Sequence, residues 1–551
     1  MNNLRNILTG SLVYIACIVL LSLACNVSSG LPVADVIGQW LYFDKSALVV
    51  AGCLLMAGLM MEKRYFLFIP VSWVLVMLGG IEAVWGLSQL YGYAVSNHSL
   101  YVLTGSFFNP GPYSGYLAIT LPVALGILLE QSKRNMPYYL SMGCIGTAIV
   151  VLPAGMSRSA WIAVVVSCAW VYALYRLDRK QAATRLRQHK RWYIIGGILG
   201  GILLLGGSAS LYTLKKDSAD GRFLMWKITT KAIQKQPITG TSLGGFPAAY
   251  AETQAEYMAS GKATEQEKLV AGCPEYAFNE YLQIGLEQGL VGLALFIGWL
   301  GLLFYKGIKN KRYACCGGLM SLAIFAFSSY PLQLPEFWVV LIFLGVMSVT
   351  PDKDEIRENQ AESNGHRWGK QIFFMGIAIL GIGLFWMQKD HYKAYQQWNK
   401  AQMYYKNKAY EAALEVYEPL YPLLKHKPEF LFEVAQCLSK TGRYEKANGY
   451  LERAVLLSSD PMLYYVMAKN EQCLGEYRQA EKHLLHAIDI LPERIYPYYL
   501  LMNLYTEPSY FQPAKLKMAI DSVLTKKPKV ESSAIKEMKE KARSMLNNTS
   551  I

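Results

Sequence analysis

Long apolar runs alternate with short polar segments over roughly the first 390 residues of the chain, and then the apolar runs stop. Apolar runs of about 17–25 residues are typical of helices that cross a lipid bilayer. We predict about eleven such spans, at roughly 7–25, 46–61, 66–88, 113–130, 138–155, 160–175, 193–214, 281–305, 314–330, 335–350 and 371–387. The pattern therefore predicts an all-α fold in which residues 1–390 form a polytopic helical membrane bundle.

Residues 391–551 are more polar and repeat themselves. Four positions recur after 33 residues, so that Gly442, Tyr444, Ala447 and Ala454 return as Gly475, Tyr477, Ala480 and Ala487. A period of about 33–34 residues with small residues at helix crossings is typical of tetratricopeptide helical hairpins. Two repeats are clear, and residues 400–421 predict a weaker third. Because such repeats stack on one another, we expect a soluble helical repeat domain over 391–551.

Composition and charge exclude an ordinary soluble protein. Of the 551 residues, 53% are hydrophobic and only 17% are charged. The net charge of +14 is concentrated in short loops between predicted spans, and the loop 176–191 alone holds seven Lys and Arg residues. Basic loops stay in the cytoplasm. This topology explains the positive charge without nucleic-acid binding. It places the large loop 215–280 and the repeats on the outer side of the membrane.

The ten cysteines show no CxxC or other spacing typical of metal ligands, so no metal site is predicted. Cys273, Cys437 and Cys473 fall on the predicted outer side. Spacing does not decide whether Cys437 and Cys473 form a disulfide.

Polar segments on the predicted outer side hold the candidate chemistry. Residues 104–117 are rich in Gly, Pro and Asn, which is also typical of an ordinary turn before a span. Arg158 lies in a very short loop between two spans, and Arg222 begins a predicted amphipathic helix. Arginine beside a membrane bundle is costly unless it pairs with an anion or extends to the interface. A guanidinium group can hold a pyrophosphate through paired hydrogen bonds.

In chain order these segments read Gly-Ser-Phe-x-Asn-Pro, Ser-Arg-Ser, Arg-x-x-x-Trp, Pro-Ile-x-Gly-x-x-x-Gly-Gly-Phe and Asn-Glu-Tyr-Leu…Glu-x-Gly-x-x-Gly. The ordered set spans about 60–350 and resembles the O-antigen ligase superfamily. That superfamily includes lipid A–core O-antigen ligases, Wzy-type polymerases and protein O-oligosaccharyltransferases. The resemblance implies a membrane glycosyltransferase without a metal or cofactor. Its substrates would be an undecaprenyl-diphosphate-linked glycan and a lipid A–core or protein acceptor.

The resemblance also implies site residues. Arg158 and Arg222 would hold the diphosphate of the carrier, and the other expected substrate contacts are Asn109, Tyr250, Asn279 and Tyr281. The histidine of the family falls on Phe278, which cannot take a proton. We therefore expect the catalytic base to be Glu280 or an acid within 251–275, unless the site is not catalytic. Glu280 also fits the first turn of a helix, where an acidic side chain is favourable.

Three classes of function remain open. A transferase, including a polysaccharide polymerase of the same superfamily, is the first. A non-catalytic membrane scaffold is the second, since Phe278 and the repeats both suit it. A transporter is the third, although no internal duplication of the spans is visible and the large outer loop has no role in transport. In the first two classes, the repeats would dock a protein acceptor or an assembly partner.

Overall fold

The computed structural model describes residues 71–130, 134–178, 216–349, 367–528 and 531–548. Within these ranges every regular element is a helix and none is a strand, which confirms the predicted all-α class. Three are short 3-10 turns, at Pro331–Gln333, Glu418–Leu420 and Pro508–Tyr510. In chain order the α-helices are α1 (Val71–Leu90), α2 (Pro110–Glu130), α3 (Met136–Val151), α4 (Arg158–Asp178), α5 (Lys216–Lys235), α6 (Phe246–Ala259), α7 (Glu265–Val270), α8 (Glu280–Glu287), α9 (Gly289–Lys309), α10 (Tyr313–Ala326), α11 (Pro335–Val349), α12 (Arg367–Lys406), α13 (Tyr410–Tyr417), α14 (Tyr421–Leu424), α15 (Pro428–Lys440), α16 (Tyr444–Val455), α17 (Met462–Leu474), α18 (Tyr477–Ile490), α19 (Ile495–Tyr505), α20 (Pro513–Thr525) and α21 (Ser533–Asn548).

Contacts divide the chain into two compact units. The first unit consists of Met1–Leu214, Phe278–Tyr281 and Ala294–Tyr392, and the second of Lys215–Ala277, Leu282–Leu293 and Lys393–Ile551. This division groups the large loop with the repeats. The domain boundary between residues 390 and 391 stays a prediction.

Several helices have the character of membrane spans. Among the helices that the structure describes, four are long and apolar enough to cross a bilayer, namely Trp73–Leu90, Pro110–Glu130, Arg158–Leu177 and Gly289–Lys309. Helices α3, α10 and α11 are apolar but shorter. The predicted spans at 7–25, 46–61 and 193–214 lie outside the described residues, so the count of about eleven stays a prediction.

Helix α2 is the centre of the first unit and packs against α1, α3, α4 and α10. Small residues make this close packing possible. A side chain at Gly115 would overlap the ring of Phe325, and one at Gly126 would overlap Ala314. Inside a membrane the hydrophobic effect does not drive helices together. Small residues instead let neighbouring helices approach closely and pack. The packing fixes α2, whose first residues belong to the predicted site segment 104–117.

The carboxy-terminal part of the second unit is a stack of helical pairs, α15 with α16, α17 with α18, and α19 with α20. The repeating alanines Ala447 and Ala480 are fully buried where the helices cross. Gly442 and Gly475 have φ angles of 79° and 80°, a left-handed conformation that glycine adopts without a steric penalty. These observations confirm the predicted helical repeats. Cys437 is buried in α15 and Cys473 is exposed on α17, both as free thiols.

Candidate functional site

In the first unit, buried polar side chains fix the segment that leads into α2. The Gln89 side-chain oxygen accepts hydrogen bonds from the backbone nitrogens of Thr104 (2.9 Å) and Gly105 (2.7 Å). A Glu82 carboxylate oxygen accepts from the Ser106 nitrogen at 3.0 Å. Because Glu82 and Gln89 are buried on α1, these bonds form away from bulk water and hold the backbone in one conformation. The segment is thus a built structure and not a loose turn.

Asn109 ends this segment and is half-buried. Its side-chain oxygen accepts a hydrogen bond from the Gly111 nitrogen at 2.9 Å, so it caps the start of α2. A role for Asn109 in substrate contact stays a prediction.

Arg158 is the first residue of α4 and is half-buried. A side chain at Gly155, three residues earlier, would overlap Ser114, whose hydroxyl donates to the Pro110 carbonyl at 2.8 Å. The Ser-Arg-Ser turn therefore lies beside the first turn of α2, at the same end of the first unit as Asn109. A helix N-terminus carries a partial positive charge, and a guanidinium group there adds to it. Binding of an anion at this position would therefore be favourable.

Phe278, where the resemblance predicts a histidine, also lies in the first unit. Its φ angle is 48°, which is uncommon for a residue with a bulky side chain. The Phe278 ring packs edge-on against Tyr330 with 5.0 Å between ring centroids. Residues 271–279 are irregular and α8 begins at Glu280. Glu280 needs such an irregular approach to act as the base, because inside a regular helix it would point about 200° away from position 278.

The Glu280 carboxylate is 1% exposed and both of its oxygens are engaged. One accepts from the Leu332 nitrogen at 2.6 Å, and the other accepts from the Gln333 side-chain amide at 3.1 Å. These bonds anchor the 3-10 turn Pro331–Gln333. The neighbouring Tyr281 hydroxyl donates to the Ala323 carbonyl at 2.9 Å, and Asn279 is buried. The geometry gives Glu280 an anchoring role, while its catalytic role stays a prediction.

In the second unit, Arg222 lies in the second turn of α5 and is half-buried. Leu224 and Ile228 form the buried side of this helix. Arg222 points about 200° away from Leu224 around the helix axis, but the buried Thr229 lies within about 20° of it, so Arg222 lies at the edge of the buried side. Trp226 follows four residues after Arg222 and shares its face. The Arg-x-x-x-Trp motif thus places a cation and an aromatic ring side by side.

Backbone contacts join the turn 237–245 to the end of α8 and the start of α9. The nitrogens of Thr241 and Ser242 donate to the carbonyls of Leu286 and Glu287 at 2.9 and 3.0 Å, and the Leu290 nitrogen donates to the Pro237 carbonyl at 2.8 Å. A side chain at Gly240 would lie 2.5 Å from the Glu287 carbonyl, and one at Gly289 would overlap the Ile238 carbonyl. Both glycines have positive φ angles, 69° and 70°. The motif glycines are therefore needed because two backbone segments touch there.

Glu287 strengthens the same junction. Its carboxylate accepts hydrogen bonds from the backbone nitrogens of Gly244 and Phe246 and from the Gln283 side chain. The first two lie at the start of α6, where helix N–H groups have no partner within the helix. Glu287 is a structural residue in this arrangement.

Tyr250 is buried 98% within the second unit, stacked on Phe246 with 5.5 Å between ring centroids. Its hydroxyl donates to the Gln254 side-chain oxygen at 2.7 Å. Burial raises the pKa of Tyr250, so its phenol stays protonated at neutral pH. The surroundings of Tyr250 are those of a core residue, and its predicted substrate contact stays a prediction.

An ionic network joins α5 to α6 and to the short helix α7. Lys227 donates to the Tyr257 hydroxyl and to the Glu267 carboxylate, both at 2.6 Å. Glu267 also forms a capping box with Thr264 at the start of α7. Burial acts to raise the pKa of Glu267, but the hydrogen bonds from Lys227, Thr264 and Tyr257 outweigh it and lower the pKa to about 2. The network fixes α7 against the arginine-bearing helix.

The predicted site residues are thus divided between the units. Asn109 and Arg158 lie at one end of the first unit. Asn279, Glu280 and Tyr281 also belong to the first unit, whereas Arg222 and Tyr250 belong to the second. The sequence interpretation missed Gln254, Glu82 and Gln89. Their signal is a polar residue within an apolar stripe, since Gln254 follows Phe246 and Tyr250 at four-residue steps. Among the described residues, no group of three His, Cys, Asp or Glu side chains could hold a metal ion.

Two parts of the chain match models of known protein families. Residues 143–297 match the family model described as O-Antigen ligase. A second match, over residues 406–487, is to the family described as Anaphase-promoting complex, cyclosome, subunit 3. No curated protein matches the chain. The two matches confirm the predicted resemblance to the O-antigen ligase superfamily with repeats after it.

The O-antigen ligase match includes Arg158, Arg222 and the segment from Asn279 to Tyr281. Asn109 lies before it. The ligase-type segment therefore runs from the end of the bundle that carries Arg158, through the large loop, to the motif glycines of α9. It supports a membrane protein of the ligase and polymerase superfamily.

Proposed function

We propose that this protein is a membrane glycosyltransferase that moves a glycan from an undecaprenyl-diphosphate carrier to an acceptor at the periplasmic face of a bacterial inner membrane. The observation that carries the proposal is the ligase-family match, which contains two half-buried arginines in segments of the predicted outer side. The proposed acceptors are lipid A–core or a protein.

In the proposed reaction, an acceptor hydroxyl oxygen attacks the anomeric carbon of the glycan. The bond from that carbon to the diphosphate oxygen breaks, and undecaprenyl diphosphate leaves with the electron pair. Arg158 and Arg222 hold the diphosphate oxygens and stabilise the charge that develops on them. Fixed cationic donors aimed at a developing charge are usually the largest single contribution to such catalysis. The hydroxyl proton passes to a base.

Of the carboxylates named from the sequence, Glu275 fits the base best. Its side chain reaches solvent, but the surrounding protein partly desolvates the carboxyl, and Glu429 adds a like charge, so the pKa of Glu275 is raised. A raised pKa brings a carboxylate closer to the neutral range in which a general base is most effective. Glu280 remains a candidate, although its oxygens are engaged by the 331–333 turn.

His98 is a poor replacement for the family's histidine. Its Nδ1 accepts a hydrogen bond from the Leu100 nitrogen at 3.0 Å, which leaves the proton of a neutral imidazole on Nε2. An imidazole in that form donates but does not accept at its outer nitrogen. The base role therefore stays with a carboxylate.

A non-catalytic scaffold is the second candidate function. Phe278 and the engaged oxygens of Glu280 favour it, because together they remove two groups that could accept a proton. A polysaccharide polymerase would use the same donor and differ only in taking a second carrier-linked glycan as acceptor.

The test is transfer by the purified full-length protein in proteoliposomes, with a labelled carrier-linked glycan and three acceptors offered separately: lipid A–core, a protein, and carrier-linked glycan. We expect release of undecaprenyl diphosphate with one acceptor. Intact donor under all three conditions would favour the scaffold. Glu275→Gln should remove the acidic limb of the pH–rate profile, whereas Glu415→Gln, an exposed control outside the candidate range, should leave it unchanged. Loss of that limb only in Glu280→Gln would return the role to Glu280.

A further inference from the structure

The large loop and the helical repeats share one hydrophobic core within the second unit. Leu224, Ile228 and Ala232 of α5 enter this core, as do Phe246 and Tyr250 of α6. The repeats contribute Ile490 and Leu491 at the end of α18, with Tyr464 of α17 packed against them. A loop that only crossed the surface of the repeats would leave these side chains in water. The loop is therefore folded onto the repeats.

A buried amide joins the two parts. Gln254 is fully buried on α6, and its side-chain nitrogen donates to the Ile490 carbonyl at 2.8 Å and to the Gly272 carbonyl at 3.0 Å. Ile490 is the last residue of α18, where backbone carbonyls have no partner within the helix. Gln254 satisfies that carbonyl from the loop side, and its oxygen accepts from Tyr250. Removing the amide would leave the buried Ile490 carbonyl and the partly buried Gly272 carbonyl without these donors.

Two further contacts support the same joint. The Ser459 hydroxyl donates to the Pro274 carbonyl at 3.2 Å, which ties the repeats to the stretch just before Glu275. His486 of α18 lies 3.4 Å from a Glu252 carboxylate oxygen at a more exposed position. The joint thus has an apolar centre, a buried amide and polar contacts at its edge.

We propose that the repeats position the diphosphate-binding helix, and that Gln254 is a positioning residue for Arg222. The proposal rests on the function proposed above. Arg222 leaves α5 about 200° from Leu224 and within about 20° of the buried Thr229, so the core that fixes this helix also fixes the direction of the guanidinium group. Placement of a binding group within about 1 Å governs how well it acts. The repeats therefore serve the carrier site as well as any acceptor or partner.

The experiment compares full-length wild type with Gln254→Leu, which keeps most of the volume and removes both amide donors. We expect the KM for the carrier to rise about tenfold, with the acceptor KM unchanged. Amide hydrogen exchange in α5 should become faster, while exchange in α15 and α16 stays as in wild type. Gln479→Leu is the matched control, because Gln479 is an exposed glutamine on α18. It should change neither quantity.

Ser459→Ala is a milder second variant if Gln254→Leu does not fold. It should raise the carrier KM about twofold to threefold, again with an unchanged acceptor KM. Wild-type carrier KM and wild-type α5 exchange in a folded Gln254→Leu or Ser459→Ala protein would overturn the proposal. A rise of both KM values together would also overturn it, since that is the effect of general destabilisation. Failure of the proposed function would look different from failure of this proposal. Wild type would then consume no carrier-linked glycan, but Gln254→Leu would still speed amide exchange in α5.

Discussion

Replacement of Gly289 by alanine should open the junction between the 237–245 turn and α9. Gly289 has a φ angle of 70°, a conformation that costs a residue with a Cβ atom about 1–2 kcal/mol. The new Cβ would overlap the Ile238 carbonyl and lie 2.8 Å from the Thr239 nitrogen, and both are backbone atoms that cannot rotate away. Moving the turn would weaken the three backbone hydrogen bonds of the junction, each worth about 1 kcal/mol. The total cost is about 4–5 kcal/mol of local stability.

Amide hydrogen exchange of the full-length protein measures this cost directly, since a local opening free energy follows from the protection of residues 237–245. Gly298→Ala is the control. Gly298 lies in the same helix as Gly289, and a Cβ atom there would meet nothing within 4 Å. That change should leave protection equal or slightly higher, as alanine is the better helix former. If Gly289→Ala protects the turn as well as Gly298→Ala does, the argument that backbone contact dictates the motif glycine is wrong.

Three further outcomes are expected. Because the pKa of Glu267 is lowered to about 2, its network stabilises the loop above the ordinary carboxyl pKa of 4.5 and loses this effect as the pH falls towards 2. Glu267→Gln should therefore cost about 2 kcal/mol at pH 7 and much less at pH 3, in thermal unfolding at the two pH values; equal costs would contradict this. Cysteines at the exposed positions Ser218 and Ser544 should react with an impermeant maleimide in intact spheroplasts of a Cys473→Ser background, and labelling only after permeabilisation would overturn the predicted topology. Phe278→His should keep turnover within about threefold of wild type, since an imidazole ring can still pack on Tyr330; a gain above about a hundredfold would show that wild type lacks a base.

Much of the fold follows from patterns that act over short distances. The 33-residue period predicted the helical pairs because each repeat places alanine and glycine where neighbouring helices cross or turn. Apolar runs predicted α1, α2, α4 and α9, because the length and hydropathy of a continuous segment are also local properties. The shared core of loop and repeats was not predictable in this way. Gln254 and Ile490 are 236 positions apart in the chain, and neither carries a local signal for the other.

The candidate site shows the same limit at the scale of single residues. The ordered motifs identified the arginines and the motif glycines, and the structure gives the glycines a physical cause in backbone contact. A motif does not show what a side chain touches. Tyr250 bonds a buried glutamine, and the Glu280 oxygens hold a turn about 50 residues further along the chain. Those partners are set by tertiary packing, which overrides the expectation that a polar residue in a motif faces the substrate.

The measurement that tests the central claim most directly is release of undecaprenyl diphosphate from a labelled carrier-linked glycan by arginine variants of the full-length protein. Arg158→Ala and Arg222→Ala should each lower turnover at least about a hundredfold, since each removes a fixed cation from the developing diphosphate charge. Lysine at either position should restore little, because a point charge lacks the paired hydrogen bonds of guanidinium. Arg443→Ala, which removes an exposed arginine paired with Glu411 at 2.8 Å, should behave as wild type. Near-normal release by both alanine variants, in correctly inserted protein, would contradict the proposed diphosphate site.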